Sequence, residues 1–197
     1  SMTLKTNILL LPGDGIGPDV SQSLKKVINS LNNNTKIDLS VDEDLVGGCS
    51  YDKHKTPITE KVISKAKACD GIILGSVGAP QYETLPFSQR PERGLLKLRK
   101  ELDLFANIRP AKVFNSLTDA SSLKPDIIKN MDIVVLRELT GGIYFGEPRG
   151  IEDIGNGQRR GVNTEVYTSK EIHRLGRVGF EISLARNKLV HSVEKAN

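Results

Sequence analysis

The residues GDGIG at positions 13–17 stand between an apolar run and an amphipathic stretch. Glycines in that setting let a backbone turn tightly and approach a phosphate at a helix N-terminus. The spacing is GxGxG, not the GxGxxG of the common dinucleotide fingerprint, and no Gly-Lys-Ser/Thr follows to make a Walker A loop. A nucleotide contact and a plain tight turn both fit. A second glycine turn, GSVGAP at 75–80, again follows an apolar run. Two such turns on neighbouring strands strengthen the case for a ligand crevice.

Glu92, Leu95, Leu96 and Arg99 recur at i, i+3, i+4 and i+7. On a helix this sets two leucines between a carboxylate and a guanidinium on one face. An ordinary core stripe ended by a surface arginine gives the same spacing as an apolar pocket with a carboxylate clamp. Arg109 and Arg137 each stand at the end of an expected strand. Guanidinium groups grip carboxylates in a two-pronged fork, so converging arginines suit a dicarboxylate. Tyr144 follows a Gly-Gly turn, and Lys195 follows the last apolar run. A lysine carries protons when its pKa is depressed, but the plain alternatives are a core phenol and a surface charge. His54, His173 and His191 have no metal-ligand spacing and read as structural or exposed.

The elements that position these residues follow from periodicity. Residues 7–11 form a strand. Val20, Leu24, Val27, Ile28 and Leu31 mark one face of a helix, with Pro18 in its first turn. Thr56 and Pro57 read as the N-cap and first residue of a helix running to about Ala68. A strand is expected at 70–75, a helix at 92–102, a strand at 104–109, a helix at 125–131 and a strand at 133–137. A helix over 168–186 carries a Thr168/Glu171 capping box, with Ile172, Leu175, Val178 and Ile182 inward. A last strand covers 189–193. Strands alternating with helices give an α/β sheet with crossovers. The boundary between two domains falls near 103–107, and the Gly-rich, charged stretch 147–161 reads as a loop or arm.

The 197 residues are 38% hydrophobic and 26% charged, which is ordinary for a globular chain large enough to bury a core. No apolar run approaches the roughly 20 residues of a membrane span, and the N-terminus has no signal-peptide pattern. A net charge of +4 without a dense basic block gives no case for nucleic acid. Cys49 and Cys69 form no CxxC and read as reduced thiols of a cytoplasmic protein.

Taken in order, the motifs LPGDGIGP (11–18), LGSVG (74–78), RPERGLLKLR (90–99), LFANIRPAK (104–112), RELTGGIYFGEP (137–148) and VEKAN (193–197) resemble the β-decarboxylating dehydrogenases. The resemblance runs from Ile8 to Asn197 and is closest to the branch acting on 3-isopropylmalate. It implies an isocitrate/isopropylmalate dehydrogenase-like α/β fold of mixed sheets with flanking helices. Residues 1–104 would begin the cofactor-side domain. Residues 105–197 would begin the dimerisation and substrate domain, with an arm at about 147–166.

The implied activity is NAD-dependent oxidation and decarboxylation of 3-isopropylmalate in leucine biosynthesis, by a homodimer using Mg²⁺ or Mn²⁺. In that reading Arg99, Arg109 and Arg137 hold the malate carboxylates, while Leu95 and Leu96 meet the isopropyl group. Ile16, Gly78, Ala79, Pro80 and Glu92 face the cofactor. Tyr144 and Lys195 are the catalytic acid and base, the lysine reaching into the partner's site. Isocitrate-specific relatives place polar residues where Leu95 and Leu96 stand. An apolar face would leave a third carboxylate unpaired and costly.

Family members are considerably longer, and their metal-binding aspartates have no counterpart before Asn197. No metal ligand is therefore expected in this chain, which reads as truncated and inactive alone, prone to dimerise or aggregate through open apolar surface. Two alternatives stand beside the enzyme reading. One is a non-catalytic fragment that dimerises or binds anions; the other is a sister enzyme acting on a different 2-hydroxy diacid.

Overall fold

A computed structural model describes residues 4–194 of the chain. The chain divides into two compact units, Ser1–Leu102 and Asp103–Asn197. Among the described residues no helix is long and apolar enough to cross a membrane.

The first unit is built on a three-stranded parallel sheet. Strand β1 (Leu4–Gly13) lies between β2 (Ile37–Glu43) and β3 (Gly71–Ser76). Leu9, Leu10 and Leu11 are all essentially inaccessible, because a central parallel strand is covered on both faces. Helix α1 (Gly17–Asn34) packs on the sheet. Leu9 and Leu11 join Val46, Ile58, Val62, Ile63, Ala66 and Leu98 in the main core. These come from the loop after β2, from the turn at 56–58, from α3 (Glu60–Ala68) and from α4 (Pro91–Glu101). A short helix, α2 (Gly48–His54), follows β2.

Two expectations for this unit are corrected. The buried line of α1 is Gly17, Ser21 and Ile28, whereas Val20 and Val27 remain 57% and 56% exposed. Small residues set that line: a Cβ on Gly17 would lie 1.9 Å from the Pro12 carbonyl oxygen. The helix therefore meets the sheet backbone-to-backbone at its start, which rotates the valines outward. Helix α3 begins at Glu60, not Pro57. Its N-cap is Thr59, whose hydroxyl accepts from the Val62 N–H at 3.3 Å. Thr56 donates instead to the Ile58 carbonyl at 3.0 Å, and the Pro57 carbonyl accepts from Gly47 N–H at 2.7 Å. Those bonds hold residues 56–58 as a turn.

The second unit carries an antiparallel pair, β4 (Ala106–Lys112) and β5 (Asp132–Glu138), in which Asn107 faces Arg137 and Arg109 faces Val135. The expected strand at 104–109 is displaced along the chain and runs through Pro110, which an edge position tolerates. Helix α5 (Pro125–Ile128) is a single turn, shorter than expected, because Asn130 adopts φ +64° and reverses the chain. The arm is a hairpin of β6 (Gly150–Gly155) and β7 (Gln158–Val162). Asn156 and Gly157 both have positive φ, the backbone that a two-residue hairpin turn requires.

Helix α6 (Ser169–Leu184) packs on β5, and its capping box is present in full. Leu175, Val178 and Ile182 are half-buried as expected. Ile172 is 59% exposed, because Glu171 and Arg174 take the inward positions of the first turns. The expected last strand at 189–193 does not form. Leu189 and Val193 are 60% and 91% exposed, and no neighbouring backbone supplies a ladder. An apolar run becomes a strand only where its N–H and C=O groups are paired.

Candidate functional site

In the first unit the chemistry-bearing residues gather at the carboxyl ends of β1 and β3. This is where open α/β sheets present their ligand sites. Gly78 has φ +97°, and a Cβ there would lie 2.7 Å from Glu92 Oε1, so the turn after β3 lies against the start of α4. Ala79 leads into a 3₁₀ turn, Pro80–Tyr82. Gly78, Ala79, Tyr82, Glu83, Arg90 and Glu92 line a cavity of about 350 Å³. Ile16 is 71% exposed at the N-terminus of α1.

The glycine turns act by shape. The Asp14 N–H donates to the Ser76 carbonyl at 2.7 Å, and the Gly17 N–H donates to the Asp14 carbonyl at 3.0 Å. The Gly78 N–H donates to Asp14 Oδ2 at 2.8 Å. These three donors are spent inside the turns and do not point at a phosphate. Tyr82, a residue the sequence did not single out, is buried, and its hydroxyl donates to Asp52 Oδ2 at 2.7 Å. That bond, with burial, pushes its pKa up to about 12. Burial and the nearby Asp14 charge push the Cys49 thiol up, so it is held as a neutral thiol. Cys69 is likewise free and half-buried.

Helix α4 separates two faces. Pro91, Gly94 and Leu98 are buried, and a Cβ on Gly94 would lie 2.7 Å from the Pro57 carbonyl oxygen. Leu95, Leu96 and Arg99 stay half-buried and Glu92 is exposed. The leucine pair is therefore not the core stripe of this helix, and its apolar surface remains in part available beside a carboxylate and a guanidinium.

In the second unit the β4–β5 register puts Arg109, Asn107, Val135 and Arg137 on one face. Arg109 donates to Asn107 Oδ1. Arg137 Nη2 donates to the Tyr144 hydroxyl at 3.1 Å, and its guanidinium lies 5.7 Å from the centre of that ring. Three of the residues singled out in the sequence thus form one exposed cluster. Behind it, Glu138 accepts from Thr140 N–H at 3.0 Å and Gly141 N–H at 2.7 Å, fixing the turn that leads to Tyr144. Arg174 of α6 donates to both Asp103 oxygens at 3.0 and 2.9 Å and stacks on Phe105. It also reaches Glu138 at 3.5 Å and Thr140. Lys195 lies outside the described residues.

The cavity beside Gly78 and Glu92 is a fit for part of a nicotinamide cofactor: concave, glycine-shaped and at a strand's carboxyl end. A divalent metal has no such fit. Among the described residues no three of His, Cys, Asp or Glu stand close enough to hold one. His54, His173 and His191 are exposed.

The family model described as isocitrate/isopropylmalate dehydrogenase matches residues 7–197. The 3-isopropylmalate dehydrogenase of Pelagibacter ubique is 58% identical over 98% of this chain and 52% of its own length. That of Hydrogenovibrio crunogenus is 52% identical over 96% of this chain and 53% of its own length. The chain thus spans about half the length of the curated relatives it matches. Among solved structures, isocitrate dehydrogenase from Methylococcus capsulatus superposes with a TM-score of 0.73 at 25% identity, over 91% of this chain and 48% of that one. A β-decarboxylating dehydrogenase from Thermococcus kodakarensis shares the fold at a TM-score of 0.63, over 92% of this chain and 46% of its own. On the match over nearly its whole length, the chain belongs to the isocitrate/isopropylmalate dehydrogenase family.

Proposed function

We propose that this chain supplies the substrate-recognition and part of the cofactor-side surface of an enzyme that oxidises and decarboxylates 3-isopropylmalate with NAD, in the leucine pathway of the cytoplasm. The observation that carries the substrate is the α4 face, where Leu95 and Leu96 stay half-buried between Glu92 and Arg99. Such a face suits a branched alkyl group and would leave the third carboxylate of isocitrate without a partner.

In this reading Arg99, Arg109 and Arg137 bind the two malate carboxylates. Ile16, Gly78, Ala79, Pro80 and Glu92 face NAD, which supplies the hydride acceptor when bound. Lys195 takes the hydroxyl proton, and Tyr144 delivers a proton to the enol carbon after carbon dioxide leaves. The Arg137 guanidinium donates to the Tyr144 hydroxyl at 3.1 Å, which fixes where the phenol points. The first unit serves as the cofactor side, and the second as the substrate and dimerisation side. The exposed β6–β7 arm pairs with that of a second copy.

The test is a calorimetric titration of the 197-residue chain with 3-isopropylmalate and with isocitrate, alongside NAD reduction. A preference for 3-isopropylmalate of about tenfold or more is expected, the usual value of a matched apolar pocket. The double variant Leu95→Ser, Leu96→Asn should lose it. Equal or tighter binding of isocitrate would overturn the substrate reading.

A further inference from the structure

One buried carboxylate in the first unit has no part in the functional reading so far. Asp14 is only 5% exposed. Its Oδ2 accepts from the Gly48 N–H at 2.7 Å and the Gly78 N–H at 2.8 Å, and its Oδ1 accepts from the Cys49 N–H at 2.8 Å. These donors come from two different loops: Gly48 and Cys49 open α2, and Gly78 follows β3. Asp14 itself follows β1. Its backbone is pinned in turn, since the Ser76 hydroxyl donates to its carbonyl at 2.7 Å. One side chain therefore ties together the loops leaving β1, β2 and β3 at the carboxyl edge of the sheet.

The surrounding glycines make room for this knot. A Cβ on Gly47 would lie 2.5 Å from Asp14 Oδ2, and one on Gly48 would lie 2.0 Å from the Tyr82 ring. The Gly47–Gly48 pair is thus explained by a carboxylate and a ring that must come close. Among the described residues three backbone N–H groups, those of Gly48, Cys49 and Gly78, satisfy it. An asparagine cannot replace it, because it would turn an NH₂ group toward at least one N–H. The Gly78 turn is the wall of the cavity that Glu92 closes. Its position depends on a bond to a residue 64 positions earlier.

We propose that Asp14 is a positioning residue for the cofactor: it holds the Gly78–Pro80 turn at the distance from Glu92 that the nicotinamide cofactor needs. It touches no ligand itself and acts through Gly78. This rests on the reading of the cavity as part of the NAD site.

The experiment measures NAD affinity of the 197-residue chain and amide hydrogen exchange at Gly48, Cys49 and Gly78, for wild type, Asp14→Asn and Ser76→Ala. Loss of a charged hydrogen bond should weaken NAD binding by about tenfold or more in Asp14→Asn, with a matching rise in exchange at Gly78. Ser76→Ala, which leaves the carboxylate in place but frees its backbone, should give a smaller shift in the same direction and serves if Asp14→Asn does not fold. Ile28→Ala, a destabilising change on α1, separates positioning from stability; it should lower the melting temperature and leave NAD affinity unchanged. Wild-type binding with unchanged affinity in both folded variants would overturn the inference alone. Equal loss of affinity in Ile28→Ala would reduce Asp14 to a structural staple and also overturn it. Absence of NAD binding by the wild-type chain would instead bring down the cofactor reading, and the inference with it.

Discussion

The two units solve the same problem by different means. In the first, a central strand with three consecutive inaccessible leucines is wrapped by helices, and the core gathers Val46, Ile58, Val62, Ile63, Ala66 and Leu98 around Leu9 and Leu11. In the second, the only buried hydrophobic residues among those described are Ile128 and Leu139. One helix rests on a two-stranded ladder, and the tie between them is polar, with Arg174 linking Glu138, Thr140, Asp103 and the Phe105 ring. Apolar burial is non-directional and sums over area. A polar knot is directional and fails when one member leaves. The first unit should therefore weaken in proportion to lost volume, and the second at particular bonds.

The largest effect is expected in the first unit. Leu11→Ala removes a side chain with no exposure from the centre of its core. A loss of about 3 kcal/mol follows from the removed burial and the cavity left behind. Native-state amide exchange at β1 and β3 under increasing urea would read it; a loss well under 1 kcal/mol would sink the claim that this core carries the unit. The corresponding break in the second unit is Arg174→Met, which keeps the aliphatic stem on Phe105 and removes the guanidinium. About 2 kcal/mol should be lost, the range of hydrogen bonds to charged groups. It should not be more: Glu138 keeps its bonds to Thr140 and Gly141, and Arg174 Nε is buried with no partner among the described residues. Exchange at the β4–β5 ladder would report it. Stability unchanged by Arg174→Met would show that apolar contact, not the knot, holds α6 to β5.

The first unit has one polar contact that sharpens the contrast. The Asp52 carboxylate accepting from Tyr82, with burial, raises that phenol from 10 to about 12. A pKa raised by folding contributes stability that is complete below the unfolded value and is lost as pH rises through the folded one. The first unit should therefore weaken between pH 10 and about 12, and Tyr82→Phe should flatten that limb. Spectrophotometric titration should show an ionisation near pH 12 that Tyr82→Phe removes; if the substitution leaves the curve above pH 10 unchanged, the Asp52 bond does not persist in solution.

What the sequence made legible follows the same division. Strands β1 and β3, helix α4 and the Thr168/Glu171 box were readable because each is a local pattern. Strand β2 has the alternation of Ile37, Leu39 and Val41 and was passed over; α2, a seven-residue helix without an apolar period, offered no signal. The Asn156-Gly157 pair marks a hairpin inside the stretch that reads as a loop or arm. The face of α1 was misread because small residues at Gly17 and Ser21 decide its contact, and periodicity counts only large apolar ones. Site residues show the same limit. Arg109, Arg137 and Tyr144 were found one by one, but their meeting depends on the register between β4 and β5. Asp14 was missed as a site element because its partners lie 34, 35 and 64 positions away. Nothing local announces a carboxylate that binds two distant loops.

The smallest expected effect tests whether local structure in the second unit stands on its own signals. The Thr168 hydroxyl accepts from Glu171 N–H at 3.3 Å, while Glu171 Oε1 accepts from Thr168 N–H at 2.9 Å. The Thr168 hydroxyl also lies 2.8 Å from that carboxylate oxygen. These bonds from the Thr168 hydroxyl and N–H hold the Glu171 carboxyl below its ordinary value of 4.5. A depressed carboxylate contributes stability that is complete above the unfolded pKa and is lost as pH falls through the folded one. Protonating it breaks the box from one side, and Thr168→Ala breaks it from the other. The substitution should cost about 1 kcal/mol at neutral pH, the usual value of an N-cap. It should also reduce the acid-dependent fraying of the first turn of α6, read from exchange at Lys170 and Glu171, since the N–H at position 168 still donates to Glu171. If wild type frays in acid as the variant does at neutral pH, the box is one cooperative device. If the variant still frays further in acid, Glu171 supports the helix by its charge at the N-terminus, and the hydroxyl is a separate contribution.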